Sequence, residues 1–203
     1  MKTKIFAMFF GAILFVSCQQ KEMKISRSDF SVVSEITDIS PAYIIVNEKG
    51  NTELKKNSLI GNTHWVLSVD RDLSLKEIGP FLQELTQKKH KKGGMHEDSK
   101  DIYFVYSDTV HKQNAYVKLP FKTIDIGIPS LPNKDSIEYN NIHVKSFANF
   151  NEQIDEYLRT GIVPDKLHLV FDQNISTEEF LNILIKVHKL NLSSSVDIFT
   201  SFM

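Results

Sequence analysis

The chain has 203 residues, 41% of them hydrophobic and 24% charged, which is the composition of a globular protein and not of a disordered one. Its 24 basic and 25 acidic residues nearly cancel, so bulk charge gives no reason to expect nucleic acid or an anionic surface as partner. One cysteine excludes a fold stapled by disulfides, so an exported form must stand on its core alone.

Residues 1–17 read as a secretory leader. Lys2 and Lys4 form a positive start, Ile5 to Val16 is apolar apart from Gly11, and small Ser17 precedes Cys18. The apolar run is shorter than the roughly 20 residues that cross a bilayer and fits a signal-peptide core. Phe15-Val16-Ser17-Cys18 resembles the lipobox of bacterial lipoproteins, with Phe15 where that motif usually has Leu. The resemblance implies cleavage before Cys18 and acylation of that residue, and several acyl chains hold a protein at a membrane almost permanently. The expected tether spans residues 18–35 and opens with the polar run Gln19 to Lys24. An ordinary cleaved signal, with Cys18 an incidental thiol, is the alternative. By the sorting rule of enteric bacteria, Gln19 in place of Asp implies the outer membrane of a Gram-negative envelope.

Ala42 to Val46 is a strand candidate, and Glu48 to Asn51 is a turn around Gly50. Trp65 to Val69 is a short apolar run suited to a buried strand. Asp70-x-Asp72 then makes a turn, and Ser74 with Glu77 three places on forms a capping box. Ile78, Phe81, Leu82 and Leu85 make one apolar helical stripe. A polar run from Lys88 to Lys100 leads to a strand at Asp101 to Tyr106, and Ala115 to Leu119 is another strand candidate. Ile128 to Asn133, with two prolines, is the best linker. Ile137 to Val144 reads as a strand. Asn149 to Arg159 reads as a helix, with Phe150, Ile154 and Leu158 on one stripe and Gly161 as its stop.

From Leu167 the pattern of Trp65 to Ile78 returns at an offset of 102 positions. Leu167 to Phe171 is the strand, Asp172-x-Asn174 the turn, and Ser176 with Glu179 the capping box. Phe180, Ile183, Leu184 and Val187 repeat the stripe, and Ser195 to Thr200 is the closing strand. The shared cap and stripe register favours duplication over chance, and such short strand–helix–strand connections favour parallel pairing. The predicted fold class is α/β: two related small strand–helix–strand subdomains, 36–129 and 130–203, each a mixed sheet with helices packed on one face.

Lys166 to Thr200 resembles the periplasmic domain of ExbD/TolR proteins. The resemblance is carried by Leu167, Leu169, Phe171, Asp172, Phe180, Leu184, Val187, Val196 and Ile198. A fainter copy runs through Leu67, Val69, Asp70, Ile78, Leu82, Ile102 and Phe104. That family carries a proton-handling aspartate in an N-terminal membrane helix. No Asp or Glu precedes Cys18 here. The resemblance therefore implies only the periplasmic role: pairing of domains and binding of envelope partners or cell wall.

Asp70 and Asp172 stand at strand ends, where α/β folds often place ligands. Turn formation and helix capping already account for them and for Asp72 and Asn174. His90, His96, Glu97 and Asp98 could supply metal ligands but lie in a lysine-rich loop of solvated character. His64, His168 and His188 read as packed or hydrogen-bonded histidines. Ser193 to Ser195 is a loop, and Trp65 with Tyr103 is either a binding platform or a covered sheet face. The chain has no GxSxG, P-loop, HExxH or GxGxxG.

The expectation is thus a non-enzymatic, lipid-anchored cell-envelope protein, an adaptor or accessory subunit. It would bind the membrane through Cys18 and a protein or cell-wall partner, with no cofactor, metal or nucleic acid. The alternative is a ligand-binding or hydrolytic envelope lipoprotein with its site near Asp70 or Asp172.

Overall fold

The computed structural model describes residues 22–56, 58–89, 101–119, 125–126, 140–160, 166–192 and 197–202. The chain enters at Arg27–Ser28 (β1) and then alternates along Ile39–Val46 (β2), with Ala42 and Ile44 facing inward. A tight turn follows. Gly50 takes φ +79°, a conformation side chains resist, while the Asn47 side-chain oxygen accepts the Lys49 and Asn51 amides. Thr52–Lys56 (β3) returns antiparallel to β2, and His64–Val69 (β4) lies parallel to β2 on its other side.

Leu75–Lys89 (α1) buries Ile78, Leu82 and Leu85 of the predicted stripe. Ile102–Asp108 (β5) then pairs parallel to β4, as the short crossover requires, and Gln113–Lys118 (β6) folds back antiparallel on β5. β1 runs parallel to the C-terminal end of β5.

In the second sheet, Asp125–Ile126 (β7), Asn140–Val144 (β8), Lys166–Phe171 (β9) and Asp197–Phe202 (β10) take the order β7-β10-β9-β8. Phe147–Thr160 (α2) joins β8 to β9, and Thr177–Lys189 (α3) joins β9 to β10. The class is α/β, as expected, with three helices among the described residues. The described strands β5-β4-β2 and β10-β9-β8 share one parallel arrangement.

Three expectations change. The first sheet is mixed, but the second pairs its described strands only in parallel. Two separate subdomains are not seen: one hydrophobic cluster contains Leu67 and Phe104 together with Phe171 and Phe180. β7 pairs into the second sheet although it precedes residue 130, α1 reaches β10, and α3 reaches β1 and β6. The expected tether also ends early, because the segment from Lys24 to Val33 is hydrogen-bonded into the first sheet. Arg71 donates to the Lys24 carbonyl, Ser107 to Ser26 and Thr109 to Ser28, and Val33 and Tyr116 exchange bonds.

The physical reason for a single core is Phe180. Its ring meets Phe104 of the first sheet edge-on at 6.0 Å and Phe171 of the second at 5.1 Å, the geometry aromatic pairs prefer. Phe180 thus touches the inner faces of both sheets.

Candidate functional site

The residues singled out in the sequence meet at one place. The turn after β4 and the turn after β9 lie against each other, with Ser74 and Ser176 forming an antiparallel bridge. Leu75 donates to the Ile175 carbonyl at 2.9 Å, and Thr177 donates to Leu73 at 2.7 Å. Lys76 donates to Gln173 at 2.7 Å, and Glu178 donates to Arg71 at 3.2 Å. Shifting either member of each pair by 102 positions generates the other, so the contact is two-fold symmetric in its backbone, like an isologous interface between subunits.

Within each turn the aspartate does local work. Asp70 Oδ1 accepts the Asp72 amide at 3.2 Å, and Asp172 Oδ1 accepts the Asn174 amide at 2.8 Å. These are Asx turns. Their backbones are fixed alike, since the Asp70 amide donates to Ile44 and the Asp172 amide to Val144. Asn174 adds a side-chain bond to Asp172, whereas Asp72 leans toward Arg71. Arg71 Nη1 also lies 3.4 Å from Glu178, tying the two turns by charge.

The two capping boxes divide the usual exchange between them. Ser176 Oγ accepts the Glu179 amide at 3.2 Å as an N-cap. In the first copy, the Ser74 amide and hydroxyl both donate to Glu77 Oε2, at 2.8 and 2.6 Å. These bonds hold the Glu77 carboxyl below its ordinary value, the Ser74 hydroxyl contributing most. The Ser176 hydroxyl also meets Glu179 Oε2 at 3.2 Å, and Glu179 Oε1 accepts the Phe147 amide at 3.2 Å, so Glu179 also caps the start of α2.

Sequence reasoning missed a second polar centre at Asp108, a carboxylate with no solvent exposure. It accepts the Ser31 hydroxyl, the Val110 and His111 amides at 2.8 and 2.9 Å, and meets His111 Nδ1 at 2.8 Å. These donors, Ser31 first, hold it far below the ordinary carboxylate range. Beside it the Tyr106 hydroxyl donates to the Phe30 carbonyl and accepts the Val32 amide, both at 2.9 Å. Together they latch residues 30–32 to the β5–β6 hairpin. The run Asp108-Thr-Val-His111 between two strands carries a turn signal, but nothing local announces Ser31.

The other candidates resolve plainly. Trp65 is buried, its Nε1 donating to Ile60 at 2.8 Å, so it forms no platform with Tyr103. Lys89 Nζ sits 4.6 Å over the Trp65 ring and donates to Gly61 and Thr63 at 2.8 and 2.6 Å. His64 Nδ1 accepts the Asp101 amide, and its ring packs edge-on against Tyr103 at 5.2 Å. Burial, with Lys118 nearby, pushes the His188 imidazole below its usual value. Leu158, placed on the α2 stripe, is exposed while Phe150 and Ile154 are buried. Among the described residues no group of three or more His, Cys, Asp or Glu could hold a metal ion. Cys18, His90, His96, Glu97, Asp98 and Ser193 to Ser195 lie outside the described residues, as does the linker at Ile128 to Asn133.

One cleft of about 540 Å³ has the size of a small-molecule site. Phe30 lines one side; Phe147 and the α3 residues Ile185, Lys186 and Lys189 are among those that complete it. Its walls are mostly apolar, and its polar residues are Ser28, Asp29, Asn182 and the two lysines.

The fold and this geometry define an α/β protein whose two sheets meet through paired Asx turns. No protein-family model, no curated protein and no solved structure matches the chain. Among the described residues no helix is long and apolar enough to cross a membrane.

Proposed function

We propose that this chain is a non-enzymatic, lipid-anchored cell-envelope protein, an adaptor or accessory subunit that binds a protein or cell-wall partner. The observation that carries the reading is the lone cysteine at the end of the leader, Cys18, followed so soon by fixed structure. Lys24 is already held by the Arg71 amide, and six residues span at most about 20 Å. A leash of that length keeps the domain against the membrane that Cys18 enters. Gln19 favours the outer membrane as that membrane.

The order strand, Asp turn, capped helix, parallel strand in Lys166–Phe202 supports an ExbD/TolR-like relation for the second half. It supports the binding role of such domains and not the proton-driven one. Strand addition at β3 is disfavoured, because Glu53, Lys55 and Lys56 charge that edge.

The ligand-binding or hydrolytic reading draws less support, since each aspartate it needs already accepts its own turn amide.

Replacement of Cys18 by Ser tests the anchor. Expected is loss of the acylated mass and release of the chain from washed membranes. Unchanged membrane retention with no acyl mass in the native chain would overturn the reading.

A further inference from the structure

We infer that the cleft between Phe30 and α3 holds a single anionic phospholipid from the membrane beside the domain. The inference rests on the anchored reading above. Two features on this face point to that occupant. The first is position: Ser28, Asp29 and Phe30 line the cleft and follow within six residues of Lys24, whose carbonyl already accepts the Arg71 amide. Twelve residues separate Cys18 from Phe30, so covalent reach holds this opening within about 40 Å of the acylated residue.

The second is chemistry. Lys186 and Lys189 lie three apart on one face of α3, beside the apolar surfaces of Phe30, Phe147, Ile185 and Leu190. That pairing suits a phosphate joined to acyl chain, and suits neither a free ion nor a purely apolar guest. Lys186 Nζ lies 3.5 Å from Asp155 and Lys189 Nζ 4.0 Å from Asp29. Both partners are exposed acids at long range, weak competitors for a desolvated phosphate. Lys189 also sits 5.4 Å over the Phe30 ring, a contact a bound phosphate can keep. Since the chain as a whole is almost neutral, attraction must come from this cleft and not from bulk charge.

The test uses the full chain, purified with Cys18 acylated and reconstituted into vesicles of phosphatidylcholine alone or mixed with phosphatidylglycerol. Asn182→Cys carries an environment-sensitive fluorophore; Cys18, the one native cysteine, is blocked by its acyl chain. Expected is a blue shift with phosphatidylglycerol that survives high salt, is absent in phosphatidylcholine, and is lost in the Lys186→Gln, Lys189→Gln double variant. Native mass spectrometry of the unlabelled chain should retain one phosphatidylglycerol, again lost in the double variant. Equal emission in both vesicles, a shift untouched by the double variant, or the same shift from inorganic phosphate or an acidic peptide overturns the lipid site. Intact mass separates the two failures. A chain without acyl mass overturns the anchored reading, whereas an acylated, vesicle-bound and unshifted chain overturns only the lipid site.

Discussion

Ser74 and Ser176 face each other across an antiparallel bridge between the turn after β4 and the turn after β9. They hold matching positions of the repeated pattern, 102 positions apart. The bonds on either side follow the same shift, so each turn serves the other as a partner strand. A buried backbone segment must place its amides and carbonyls somewhere. Here the leftover groups of two helix starts satisfy one another.

That junction should be measurable through Thr177, which is buried and donates its hydroxyl to the Leu73 carbonyl at 2.8 Å. Thr177→Val keeps the shape and the backbone bond but removes the hydroxyl bond. A loss of about 1 kcal/mol is expected in urea unfolding. No loss would mean that the backbone bond from Thr177 to Leu73 alone holds that carbonyl.

The two caps should respond differently. Ser176→Ala deprives the Glu179 amide of its acceptor and should cost about 1 kcal/mol. Ser74→Ala should cost less, because the Ser74 backbone amide still reaches Glu77. Equal losses in urea titrations of the two variants would contradict this division.

Phe180→Ala should destabilise by about 3–5 kcal/mol, since it empties the contact between two sheets. Because the core is continuous, native unfolding followed by Trp65 fluorescence and by far-ultraviolet dichroism should coincide in one transition. Two separated transitions would show that the halves unfold independently.

Lys89→Met keeps the apolar stem but removes a cation bonded to two carbonyls over Trp65. We expect a loss of about 2 kcal/mol and a change in the emission of the single tryptophan. Unaltered emission and stability would show that the ammonium contributes nothing there.

Acid should loosen the latch at Asp108. Its folded carboxyl titrates below its ordinary value of 3.8, so it contributes stability that is fully present above that value. The contribution is lost as pH falls from there toward and through the lowered folded value. Asp108→Asn should therefore flatten the acid limb of stability against pH and raise hydrogen exchange at the Val32 and Ser107 amides. An acid limb as steep as that of the native chain would remove Asp108 from this role.

The elements read most surely in the sequence were β4 with α1 and β9 with α3. Their signals are local: an apolar strand, an Asx turn, a Ser–Glu cap and a stripe of period 3.6. β3 has no such signal, because TELKK is an edge strand whose charges mask any alternation. Trp65 was open to two readings because strand alternation says which residues share a face but not which face is covered. Leu158 fits the α2 stripe by spacing, yet the helix runs past the surface that buries Phe150 and Ile154.

The candidate site was legible only as parts. Asp70, Asp72, Ser74 and Glu77, and their counterparts Asp172, Asn174, Ser176 and Glu179, read locally as turns and caps, whereas their meeting across the two turns carries no local signal. The pairing of Asp108 with Ser31, 77 positions away, was not legible, nor was the cleft assembled from Phe30, Phe147 and α3.

By itself the sequence determined the α/β class, the register of the repeat and the capped turns, because each depends on bonds within one or two helical turns. Only the tertiary structure decided that the two turns bond to each other, that Phe180 joins both sheets in one core, and that residues 24–33 belong to the fold. Those contacts join segments tens of positions apart, and their free energy comes from burying surfaces that no local pattern matches to one another.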